Sequence, residues 1–176
     1  MFWLKIIKDF IKIFREGQSP AQVAGGFALG SILGLSPIFT LQGLILWILI
    51  ALLNVNLGAV FLALTAFSII AYLFDPFFHW FGFQILTQID WLKDFWTTLY
   101  NAPVAPLTNF NNTVIMGSFV TAIILAIPIY FGMKKLIVQY RKHLHTKIEK
   151  IKIYQVLRQS SLVKLYTKLR DFGGVQ

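Results

Sequence analysis

Ser36-Pro37, followed by Thr40 and Gln42, is where residue types and spacing in this chain come closest to a binding site. Serine is a good N-cap, and proline fits the first helical position because its missing N–H would be unpaired there anyway. The pair therefore predicts a helix starting at Pro37. The free N–H groups and positive dipole end of such a helix attract anions. Thr40 and Gln42 add uncharged donors within two turns, and Gly34 lets a ligand or another helix come close. A lipid phosphate or carboxylate is the natural guest. The plainer alternative is that Ser36 only caps the helix and the nearby glycines only pack.

Other candidates carry less. Asp75 and His79 are four apart and share a helix face, so an acid–base pair is open to them. The competing reading makes Asp75 the N-cap before Pro76 and His79 an interfacial side chain. His143 and His145, two apart on a helix, point in different directions and make poor metal ligands. With no cysteine, thiolate sites and disulfides are excluded. There is no phosphate-binding glycine loop, zinc-protease motif or nucleophile elbow. The core also lacks the intramembrane acids of an ion-coupled pump. The expectation is a non-enzyme with no catalytic residue, metal or cofactor.

These residues sit in an apolar frame. The 58 residues from Gly17 to Phe74 include no charged side chain, far more than the roughly 20 apolar residues that cross a bilayer. Within them Gly26, Gly30 and Gly34 fall on one helix face and form a groove for another backbone. Hydrophobic residues make up 57% of the chain and charged ones 13%, about half the soluble norm of roughly 25%. The fold class expected is all-α: a polytopic integral membrane protein with a short re-entrant or broken helical hairpin, two full transmembrane helices, interfacial helices and a basic cytoplasmic helical tail. Residues 1–133 form the membrane domain and 134–176 the tail.

Three Ser-Pro or Asp-Pro pairs predict helix starts at Pro20, Pro37 and Pro76, and Asn54-Val55-Asn56 marks a further break. The segments are Pro20–Leu35, Pro37–Leu53, Leu57–Phe74, Pro76–Gln88 and Val114–Met133. The first two, about 24 Å and 26 Å long, fall short of a 30 Å hydrocarbon core. Short, Gly/Pro-interrupted segments of this kind mark re-entrant helices around a site. Leu57–Phe74 and Val114–Met133 suit complete crossings, and Pro128 should only kink the second. Residues 76–100, rich in Phe and Trp, read as helix along the outer interface, ending in the loop Asn101–Asn112.

Of the 16 Lys and Arg residues, four precede residue 16, eleven follow residue 133 and Lys93 stands between. Basic ends that flank apolar spans signal anchoring to anionic lipid, which displaces nucleic acid as the partner of this +9 chain. The positive-inside rule puts both termini in the cytoplasm and requires an even number of crossings. A hairpin plus two crossings, or four crossings, satisfies it. Met1 to Phe14 alternates apolar and basic residues, so it is no cleavable signal. Trp3, Ile6, Ile7, Phe10, Ile13 and Phe14 instead predict an interfacial helix. Ile137, Tyr140, Leu144, Ile148 and Ile151 stripe a basic amphipathic helix, interrupted at Gln159-Ser160-Ser161 before Leu162, Leu165, Tyr166 and Leu169 resume it.

The run Gly17-Gln-Ser-Pro-Ala-Gln-Val-Ala-Gly-Gly-Phe-Ala-Leu-Gly30, continuing through Gly34 to Ser36-Pro37 and Gln42 and then the Asn56 turn, resembles the bacterial domain-of-unknown-function family two-zero-six-two. The match covers about residues 15–75. It implies a small, multi-pass protein of the bacterial inner membrane and supplies no catalytic residues. Many members have Asn-Pro where this chain has Asp75-Pro76, which suggests a divergent subgroup. Two functions remain open from the sequence. One is binding or passage of an anionic lipid or lipid-linked intermediate at the hairpin. The other is a structural membrane subunit that holds a partner protein, or forms a homo-oligomer, through its glycine face and tail.

Overall fold

The computed structural model describes the backbone of residues 18–159 and the side chains of residues 18–143. The expected N-terminal interfacial helix lies outside the described residues. So do the resumed tail helix after Ser161 and the side chains of Leu144, Ile148 and Ile151. The chain divides into two compact units at Ile137 and Val138. In the second, the described backbone is helical.

Among the described residues all regular structure is helical. In order it comprises α1 (Pro20–Leu35), α2 (Leu41–Leu52), α3 (Leu57–Phe83), α4 (Asp90–Tyr100) and α5 (Thr113–Gln159). A π-helical turn, Gln84–Gln88, extends α3, and a 3₁₀ turn, Ala105–Thr108, precedes α5. Two helices are long and apolar enough to cross a membrane, Leu57–Gln88 and Thr113–His143. Only 17% and 22% of their most apolar stretches are buried within the fold. A core helix of a soluble protein would be mostly covered; these turn their apolar faces outward, as spans do.

α1 starts as its sequence predicts. Ser19 accepts from the Gln22 amide at 3.2 Å and the Gln22 side chain accepts from the Ser19 amide at 2.8 Å, a complete capping box ahead of Pro20. The break after α2 also stands where Asn54–Asn56 put it. Asn56 caps α3 through Ala59 N–H at 2.7 Å, and its own N–H donates to the Gln22 carbonyl at 3.1 Å. That bond ties the start of α3 to the first turn of α1.

The glycine ladder fixes the register between these two helices. A Cβ on Gly26 would collide with the carbonyl of Asn56, one on Gly30 with the carbonyl of Val60, and one on Gly34 would lie 2.6 Å from the carbonyl of Leu64. Both sequences advance together along the contact, so α1 and α3 are parallel and α2 is the return limb between them. Leu33, Ile50 and Val60 fill one core cluster, so all three helices meet there. A second contact joins α3 to α5. A Cβ on Gly82 would strike the Thr113 carbonyl and one on Gly117 the Phe78 carbonyl. The numbers run in opposite senses, so these helices are antiparallel. Phe78 and Ala122 pack there with Ile32 and Leu35 of α1.

Two of the expected helix starts are corrected. Pro76 does not begin a helix: α3 runs through Asp75-Pro76 without a break. Phe78 and Gly82 beyond it pack on α5 and hold the helix, and the proline removes only the backbone bond to the Tyr72 carbonyl. Consequently residues 76–100 are not one interfacial helix. They contain the end of α3, the π turn and α4, with a break at Ile89. Trp96 Nε1 donates to the Ile85 carbonyl of the π turn at 3.2 Å and folds α4 back onto it. Pro37 does not begin α2 either, which bears directly on the site.

Candidate functional site

α2 begins at Leu41, with Thr40 as its N-cap. Thr40 Oγ1 accepts from Gly43 N–H at 3.3 Å and donates to the Pro37 carbonyl at 2.9 Å, which closes residues 37–40 into a turn. Ser36 is the C-cap of α1 instead of the N-cap of α2, and its hydroxyl donates to the Ile32 carbonyl. A hydroxyl with a helical carbonyl four residues behind it takes that local acceptor readily. The anion site expected from open N–H groups behind Pro37 therefore has no helix terminus at that residue. The terminus that does exist, at Leu41, has one N–H already filled by Thr40.

The four predicted site residues do not converge. Ser36 and Pro37 border an open cleft of about 380 Å³ between the α1–α2 turn, α3 and the start of α5. Thr40 and Phe39 face a neighbouring depression of about 470 Å³ that Leu107 of the far loop also borders. Gln42 is buried beside a separate apolar cavity of about 260 Å³ shared with Trp96, Phe110 and Met116. Its Oε1 has no hydrogen-bond partner among the described residues. The ladder glycines Gly26, Gly30 and Gly34 are helix-packing positions, occupied by α3 of the same chain.

The cleft brings together residues the sequence left apart. Ser68, Tyr72 and Asp75 come from α3, Val114 and Ser118 from α5, and Gly34 to Phe39 from the turn. Ser68 donates to the Leu64 carbonyl at 2.8 Å and Ser118 to the Ile115 carbonyl at 3.2 Å. Asp75 is exposed to the cleft, and among the described residues no Lys, Arg or His borders it. The signal was present: Ser68, Tyr72 and Asp75 stand at i, i+4 and i+7, one stripe of an otherwise apolar helix. It was hidden by reading Asp75 as a cap. Leu35, Ile38, Ala71 and Val114 make the walls apolar.

Asp75 and His79 do not form an acid–base pair. His79 Nδ1 lies 2.6 Å from Thr113 Oγ1, on the α5 side and outside the cleft. His143 Nδ1 donates to the Gln139 carbonyl of its own helix at 3.2 Å. Lys93, the one basic residue between the two charged ends, binds Asp90 at 2.6 Å and holds that carboxyl below its usual range, chiefly by this hydrogen bond. It does not reach the cleft.

Compared with known proteins, residues 5–145 match the family model described as "Uncharacterized protein conserved in bacteria (DUF2062)". A protein of Treponema pallidum (strain Nichols), called "Uncharacterized protein", is 27% identical over 162 residues, covering 90% of this chain and 99% of its own length. No solved structure matches.

Proposed function

This chain belongs to that conserved bacterial family, and from that premise we propose that it is a multi-pass inner-membrane protein that binds or passes a lipid or lipid-linked amphiphile. No chemical step is assigned to it. The observation that carries the reading is the cleft: Ser36, Ser68, Asp75 and Ser118 border it among apolar side chains, and it is open along the side of two candidate spans. That is the layout an amphiphile needs, with a head group held at one end and chains along the wall. Asp75 lies 18 residues beyond Leu57, about 27 Å along α3, which is near the far edge of a 30 Å core where head groups sit. Leu107 of the far loop borders the same end of the molecule, beside Phe39.

The α1–α2 pair supports a re-entrant hairpin. Its limbs have 16 and 12 residues, about 24 Å and 18 Å, and the second is too short to cross alone. Because α1 and α3 are parallel, the chain enters, returns through α2 and then crosses; antiparallel α5 brings it back. Both ends then share one side, which the clustered basic residues make cytoplasmic. The prediction is that a cysteine at Asn109 reacts with an impermeant maleimide in intact cells and a cysteine at Gln159 does not. Labelling at Gln159 without labelling at Asn109 would invert the topology.

The structural-subunit reading has lost one of its supports, since both glycine contacts are filled within the chain. What is left to it is the tail and exposed apolar surface such as Leu44, Ile45, Ile48 and Leu52 of α2. A lipid carrying a photoactivatable acyl chain separates the two readings. Cross-links should map to residues 68–75 and 114–118 and fall to background in Ser68→Trp, where an indole fills the cleft. Equal labelling of parent and variant would leave the subunit reading in front.

A further inference from the structure

We infer that the cleft selects head groups bearing a primary ammonium, with Asp75 as the charged recognition residue. This inference rests on the lipid reading above and names the class of head group. It begins with where the protons go. A serine hydroxyl has one proton to donate and two lone pairs to accept with. Ser36, Ser68 and Ser118 each spend that proton on a carbonyl of their own helix, Ile32, Leu64 and Ile115 respectively. What remains on all three is acceptor capacity. Asp75 adds a carboxylate, which when ionised accepts only. Pro76 adds to the same bias, because it has no N–H to offer the Tyr72 carbonyl four residues before it.

The side chains that border the cleft thus present acceptors with a negative charge, and the Tyr72 phenol is the one side-chain hydroxyl there whose proton is not committed in a described bond. A head group that offers only anionic oxygens would meet lone pairs and repulsion from these side chains. An ammonium brings three donors, no acceptor and the complementary charge. No basic side chain among the described residues pairs with Asp75, and none borders the cleft to compete for it. The apolar Ala71 and Val114 that border the same cleft assign the amine to a lipid.

The test uses the full chain, purified in detergent and offered equal amounts of phosphatidylethanolamine and phosphatidylglycerol with identical acyl chains. Native mass spectrometry reads the lipid retained. The parent should keep the ethanolamine lipid over the glycerol lipid by about five- to tenfold, below a fully buried charge-assisted hydrogen bond because Asp75 is exposed. Asp75→Asn should bring the ratio within about twofold, chiefly by losing the ethanolamine lipid, and Asp75→Glu should restore the preference. Equal retention by the parent, or an unchanged ratio in Asp75→Asn, overturns the ammonium inference and leaves the cleft a lipid site. Ser68→Trp should lose both lipids; if it holds as much as the parent, the lipid reading itself fails. Glycerophosphoethanolamine, the same head group without chains, should not displace the lipid at equal concentration. Displacement would overturn the assignment of the amine to a lipid.

Discussion

A Gly117→Leu protein melts well below the parent, because no side chain fits where α3 and α5 touch. Even a Cβ at residue 117 would enter the Phe78 carbonyl and come within 2.9 Å of the Gly82 amide nitrogen. Those atoms are backbone, which cannot rotate aside as a side-chain tip can. Overpacking costs about 1–3 kcal/mol in an ordinary core, and a collision with rigid backbone belongs at or above the upper end. For a chain of this length about 3 kcal/mol corresponds to a fall of roughly 6–12 °C in midpoint. Thermal unfolding in detergent measures it. Gly82 meets the same backbone from the other side, so Gly82→Leu and Gly117→Leu together should cost less than the sum of the two. A Gly117→Leu midpoint within about 2 °C of the parent would mean the two helices do not touch there.

Gly30→Leu tests the other contact. Its Cβ would lie 2.8 Å from Val60 Cα and nearer still to the Val60 carbonyl oxygen, at the middle of the α1–α3 register. The expected loss is about 1–3 kcal/mol, read as faster proteolysis and a lower midpoint. Gly132→Leu is the control, since a Cβ there meets nothing within 4 Å. If the two variants behave alike, the ladder is not a packing face.

The start of α1 was legible because every determinant of a capping box lies within four residues, Ser19 to Gln22. The same Ser-Pro pair at residues 36–37 misled because two local competitors outweighed it. The Ile32 carbonyl took the Ser36 proton, and Thr40 capped the helix three residues further on. Asp75-Pro76 misled for a different reason. The pair reads as a stop only where the chain beyond it is free to turn away, and here Phe78 and Gly82 pack on α5 and keep the helix going. The ladder announced a helix contact but could not say with what; α3 carries its own small pair, Ala59 and Ala63, both buried, yet nothing in the sequence ties the two rows together. The α3–α5 contact shows in sequence only as isolated glycines among aromatics, Gly82 and Gly117. The cleft depends on the parallel register of α1 and α3, which sets Ser36 beside Ser68 and Asp75. That register is a tertiary fact, so nothing in the sequence joins Asp75 to Ser36.

The lipid site is tested most directly by an experimental density map of the full chain in phosphatidylethanolamine-containing nanodiscs. The account predicts elongated density in the cleft, its head group within hydrogen-bond reach of Asp75 and its chain along Ala71 and Val114. An open cleft without such density, or one closed by contact of Ile38 with Tyr72, would contradict it.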